Sequence, residues 1–328
     1  RRHVSFSVNS SITYCFSIYY SFFALRFCIF TYNIKAFKGC GEKQKVKGEK
    51  RLINQYIKPS LYKLLTLTKT IMGEIFIGTS GFSFGDWIGE IYPSGIKRQD
   101  MLPYYEKNLG FDALEVNYTY YSMPMKKTME SLSRRTSHGF SFVVKAFKGI
   151  THEKGNNIEE QCRRFKDGIS PLGDSLKALL FQFPYSFLPN GSNIDYLRRI
   201  RQEFSDFESV VEFRNSKWFK DEYTELLKSL TLGYCIVDEP KIKGLLPFNP
   251  ILTSDTGYFR FHGRNSAWFR EPVDVRYNYL YSEGELKEFI APVREIASQA
   301  KTTFVFFNNC HLGKAVKNAL MLKEMLKQ

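Results

Sequence analysis

Ile75-Phe76-Ile77-Gly78-Thr79-Ser80 is the first of eight short apolar runs, nearly all of which end in polar or charged residues. The others centre on Ala113–Asn117, Phe140–Lys145, Leu179–Phe183, Ser209–Phe213, Tyr234–Asp238, Tyr258–His262 and Thr303–Phe307. Strand-like runs alternating with longer amphipathic stretches indicate βα units and a parallel sheet. Eight such units in about 250 residues is the size of a (β/α)8 TIM barrel, whose polar strand ends converge on one pocket. The expected fold class is therefore α/β, a single barrel domain over residues 72–328.

The stretches between the runs support this. Asp100 to Leu109 reads as a first helix with Asp100 as N-cap, and Asn193 to Phe204 places Leu197, Ile200 and Phe204 at helical spacing behind Asn193. Further helices are expected over 126–135, 158–168, 220–230, 283–300 and 313–326. The sixth connection, Lys241 to Asn249, is short and contains Pro247, so it is the weakest helix of the set.

Charge separates the chain into two parts. Of its 328 residues, 1–71 hold 13 Lys/Arg against 2 Asp/Glu, whereas 72–328 hold 34 against 31. The formal +14 thus belongs mainly to the first segment, and a whole-chain argument for nucleic acid does not carry to the barrel. That segment has no Asp or Trp and is rich in Phe, Ile, Tyr, Asn and Lys. Ile12 to Tyr32 has the length of a signal anchor. The reading adopted is that residues 1–71 are a disordered extension or in-frame upstream translation, with Met72 as the start and no membrane partner. Cys162, Cys235 and Cys310 are widely spaced, with no Cys/His ligand pattern, which fits free thiols in the cytoplasm.

Alternation along strands places the chemistry. In Phe259-Arg260-Phe261-His262-Gly263-Arg264 the polar residues share one face, and the outer face of a barrel strand is covered by helices. Arg260 and His262 should point inward, as should Glu115 with Asn117 and Glu212 with Arg214. Lys145, Gln182, Asp238 and Asn308 end their own strands. Inward charge is costly unless paired or used, so the cluster is either a ligand site or an ion-pair plug. Trp87, Trp218 and Trp268 each follow a strand, as do Tyr118, Tyr120 and Tyr121. All are expected in loops around the pocket rim, where ring faces suit a flat ligand.

Several motifs are absent. Gly78-Thr79-Ser80-Gly81 is not a nucleophile elbow, and there is neither a P-loop nor a G-x-G-x-x-G. Five His in the chain argue against a multi-zinc centre, while Glu115, Glu212, Asp238 and His262, with His152 or His311, leave a single divalent metal ion open.

The expected function is an enzyme, a hydrolase, acting on a phosphorylated or nucleotide-like substrate. Lys145, Arg214, Arg260 and Arg264 would bind the anion. Glu212 and His262 would be acid and base, and Glu115 with Asn117 would orient substrate or metal. The alternatives are a nucleic-acid-binding barrel without catalysis and a non-catalytic barrel that binds a small molecule or protein.

The motifs together resemble the YecE-like family, a family of unknown function with a TIM-barrel fold. The similarity runs through Ile77-Gly78-Thr79-Ser80-Gly81-Phe82-Ser83, Leu114-Glu115-Val116-Asn117, Phe181-Gln182-Phe183-Pro184, Val211-Glu212-Phe213-Arg214, Phe261-His262-Gly263-Arg264 and Phe307-Asn308-Asn309. It covers residues 72–328. It implies the fold but carries no established reaction. A fold relationship to metal-using barrel endonucleases has been suggested for the family, but this chain lacks their His-rich ligand set.

Overall fold

Strand β1 (Glu74–Ser80) pairs in parallel with both β2 (Ala113–Val116) and β8 (Thr302–Phe307), and those two partners close a ring. The ring is completed by β3 (Ser141–Lys145), β4 (Leu176–Gln182), β5 (Ser209–Glu212), β6 (Gly233–Asp238) and β7 (Thr256–Phe261), in sequence order. The protein is therefore an eight-stranded parallel barrel, as the run pattern required. These coordinates are a computed structural model that describes residues 73–155, 157–266 and 276–328. The readings made for residues 1–71 and for Trp268 lie outside the described residues.

Helices α1 (Met101–Lys107), α2 (Lys126–Arg134), α3 (Ile158–Ile169), α4 (Gly191–Glu203) and α5 (Asp221–Ser229) follow the first five strands. Helix α6 (Glu283–Ala297) precedes β8, and α7 (Lys314–Lys327) follows it. The connection after β6 is irregular over 239–255, as its Pro and short length foretold. Two caps differ from expectation. Asp100 sits at the start of α1, but its side chain makes no cap bond. The cap of α4 is Asn190, which accepts from the Asn193 amide, while the Asn193 side chain donates to the Leu188 carbonyl. No helix among the described residues is long and apolar enough to cross a membrane.

Parity sorts the core into two layers. Outward residues pack under the helices: Phe261 stacks on Phe289 of α6 at 4.2 Å between ring centroids. Gly257 faces the same helix, where a Cβ would stand 2.5 Å from the Ile296 side chain, so no larger residue fits without displacement. Inside the barrel, Phe76, Phe304, Phe306 and Tyr258 form an aromatic floor with centroids 5.4 to 6.1 Å apart. The polar strand ends stand above this floor.

Candidate functional site

The floor is followed by a buried ion-pair layer centred on Arg260. Its guanidinium donates to Glu115 at 2.7 Å and to Glu212 at 2.5 Å, and all three side chains are 1 % exposed or less. Tyr258 donates to the other Glu115 oxygen at 2.6 Å. Glu212 also receives Arg214 Nε at 2.7 Å, as their two-residue spacing on one face allows. Arg214 in turn reaches Glu239 at 3.2 Å. Burial raises the cost of the Glu212 charge, but Arg214 and Arg260 outweigh it and hold its carboxyl well below the usual range.

His262 completes this layer. It is fully buried, 3.3 Å from Glu212 through Nε2 and 3.1 Å from Asn308 through Nδ1. Burial, and then Arg214, push its pKa down to about 3, so it is neutral at pH 7. Its inward placement was expected. Its use as an acid or base with Glu212 is a different matter, because both groups are sealed under the arginines and neither lines the open cavity above.

That cavity, of about 320 Å³, lies at the C-terminal ends of the strands. Asn117, Lys145, Gln182, Arg214, Arg260 and Asn308 line it, all of them anticipated from strand ends. Lys145 donates to Gln182 Oε1 at 2.8 Å and lies 4.4 Å above the Tyr120 ring. It touches no carboxylate among the described residues. Burial first, and Arg260 second, lower its pKa to about 7, with Glu212 and Glu115 pulling partway back. His152, which the sequence offered only as a loop contributor to a metal site, also lines the cavity, as do Tyr185, Arg276 and Tyr277, which were not assigned to it from sequence. They come from loops, where no strand parity exists to place a side chain. Glu239 was also missed, although it directly follows Asp238. Burial raises its carboxyl to about 7 even though Arg214 opposes the shift.

Four expected ligand contacts are displaced. Cys235 faces inward, 3.8 Å from Glu212, so Asp238 three positions later faces outward. There it takes three hydrogen bonds of 3.0 to 3.1 Å from Arg264 and one of 2.7 Å from Tyr281. Arg264 follows it because Gly263, at φ +92°, turns the chain and ends the alternation begun in β7. Arg264 also reaches Glu285 and Glu288, so this pair ties the barrel to α6 and lines no part of the mouth. Trp87 is fully buried and donates to the Cys310 carbonyl at 2.7 Å. Trp218 donates to the Phe187 carbonyl and stacks on Phe213 at 4.1 Å with the ring planes nearly parallel. Both indoles pin loops instead of offering a face to a ligand, and tyrosines take the rim. Among the described residues, no group of three His, Cys, Asp or Glu converges to hold a metal ion.

The family model described as "Protein of unknown function DUF72" matches residues 76–328. The chain belongs to the DUF72 family. The UPF0759 protein YunF of Bacillus subtilis (strain 168) is 31 % identical over 271 residues, covering 77 % of this chain and 94 % of that protein. A DUF72 family protein of Thermotoga maritima MSB8 of known crystal structure is 42 % identical with a TM-score of 0.73, covering 78 % of this chain and all of the other. One from Enterococcus faecalis V583 is 28 % identical with a TM-score of 0.70, covering 77 % and 96 %. The resemblance read from the motifs is shown at the level of DUF72 membership, over residues 76–328. DUF72 carries no reaction in its description, so the chemistry must be argued from the mouth itself.

Proposed function

We propose that this DUF72 barrel is an enzyme, a hydrolase, acting on a phosphorylated or nucleotide-like substrate held in the mouth cavity. One observation carries the reading. The ionisable side chains lining the cavity are Lys145, His152, Arg214, Arg260, Arg276 and tyrosines, with no Asp or Glu among its described lining residues. The carboxylates lie beneath, where they fix Arg214 and Arg260 in position. Cations held in place before a ligand arrives stabilise an oxyanion without reorganising. A cavity of this volume also falls in the range of small-molecule sites, about 300–1,000 Å³.

The base moves from the expected Glu212 and His262 to Lys145. A lysine with a pKa near 7 is neutral in a large fraction of molecules at neutral pH and can take a proton from an attacking water. Glu115 and Glu212 act through the arginines they hold. The test is turnover of phosphomonoesters and phosphodiesters by the full chain. Lys145→Met should lower turnover by roughly 10²–10⁴-fold, the usual worth of a general base, with thermal stability retained. Absence of turnover in wild type, or equal turnover in the variant, would overturn the assignment. Protection by phosphate without turnover would favour a barrel that only binds.

A further inference from the structure

A second cavity of about 820 Å³ opens beside the mouth, between the segments that follow β1 and β2. The two share Asn117 and Tyr121, so they adjoin at these residues. The walls differ from those of the mouth. Phe82, Phe84, Val116, Tyr118 and Leu132 make them largely apolar and aromatic. Hydrogen-bonding groups are interspersed, among them Ser83, Gln99, Thr128 and Ser131, and Glu115 also contributes to the lining, its carboxylate already taken up by Arg260 and Tyr258. At the rim stand Lys97, Arg98 and Arg135, and no carboxylate pairs with any of them among the described residues. The Arg135 guanidinium is fixed by carbonyls instead, with Nε on Ser131 at 2.9 Å and a terminal nitrogen on Gln99 at 3.2 Å.

We infer that this cleft is a base subsite: the substrate is a nucleotide, with its phosphate in the mouth and its nucleobase between the aromatic walls of the cleft. The inference rests on the anionic-substrate reading of the mouth and narrows it. An apolar wall alone would suit an acyl chain as well. Scattered hydroxyl and amide groups suit the ring nitrogens and exocyclic groups of a base, and unpaired rim cations suit a polyanion. Aromatic faces stack any base, so the subsite favours nucleotides as a class before it favours one base.

The test compares ribose 5-phosphate with adenosine 5′-monophosphate by calorimetric titration of the full chain. The nucleotide should bind at least tenfold tighter. Ser131→Trp, which fills the cleft from α2, should erase that margin and leave ribose 5-phosphate binding unchanged. Phe82→Ala, which removes one wall without adding bulk, should reduce the margin in the same direction and serves if the larger substitution disturbs folding. Equal affinity of the two ligands for wild type overturns the base subsite while the mouth reading stands. Binding of neither overturns both. A margin that survives both variants places the base elsewhere and overturns the cleft assignment.

Discussion

Arg260 and Glu115 meet at 2.7 Å inside the barrel, from strands three places apart around the ring, and neither is exposed by more than 1 %. Glu212 closes the same guanidinium from a third strand. The sequence left two readings of these inward charges, a ligand site or an ion-pair plug. The plug is there, and the cavity proposed to hold the ligand lies above it. The plug supports the site, because the arginines that face the cavity owe their position to carboxylates that do not.

Removing Arg260 would leave Glu115 and Glu212 buried with one cation fewer between them. Breaking a buried pair by deleting one partner costs about 3–5 kcal/mol. Arg260→Met should therefore lower the unfolding free energy in urea titrations by an amount of that order or prevent folding. The comparator is Arg264→Met, whose side chain is about one-fifth exposed and should cost clearly less. A near-neutral Arg260→Met would mean that the layer is dispensable.

Trp218 offers a test of packing against ligand binding. It stacks on Phe213 at 4.1 Å and Phe187 at 5.6 Å and gives its indole N–H to a backbone carbonyl. Truncating such a buried aromatic costs about 3–5 kcal/mol. Trp218→Ala should lose stability on that scale in denaturant unfolding. Its affinity for phosphate, measured where the variant is still folded, should stay within twofold of wild type. A stable variant with weakened binding would restore the rim role that its sequence position suggested.

How far the sequence reached is clear from particular residues. Arg260 with His262, Glu115 with Asn117, and Glu212 with Arg214 were placed inward because their neighbours are apolar, and alternation then leaves one choice. Asp238 ends Tyr234-Cys235-Ile236-Val237, a run apolar on both faces, so no contrast shows which side is inward. Trp87 and Trp218 were rightly placed in loops after strands, but distance from a strand does not tell which way an indole turns. Arg276 and His152 reach the mouth through loop paths that leave no periodic signal.

Acid should destabilise the fold through His262. An unfolded histidine takes its proton near 6.5, whereas the buried ring refuses it until about 3. Over that window the unfolded state binds more protons, so stability falls as pH drops below 6.5. His152, lowered to about 4 by burial first and Lys145 second, works in the same direction. Glu239, raised to about 7, works against both, since it gains its proton in the folded state first. Comparison of variants isolates the histidine: between pH 7 and pH 5, His262→Gln should lose less stability than wild type in urea titrations. Parallel losses would assign the acid sensitivity to other groups.

Lys145 carries the sharpest prediction. Its folded pKa is about 7 against an ordinary value of 10.5, and the first cause is burial. Between those values the unfolded chain holds a proton that the folded chain has released, so this group adds stability as pH rises from 7 to 10.5. Lys145→Met should lose that rise in urea midpoints. The same shift makes the amine a nucleophile early. At pH 8 it is about nine-tenths neutral, while an exposed lysine with a pKa near 10.4 is below about 1 % neutral. A phosphorylated aldehyde such as pyridoxal 5′-phosphate, trapped with borohydride and mapped by peptide mass, should therefore mark Lys145 ahead of the surface lysines. Phosphate should compete with that labelling, because Arg214 and Arg276 line the same cavity. Labelling spread evenly over the lysines, with a half-point near pH 10 for Lys145, would remove both the neutral amine and the base assigned to it.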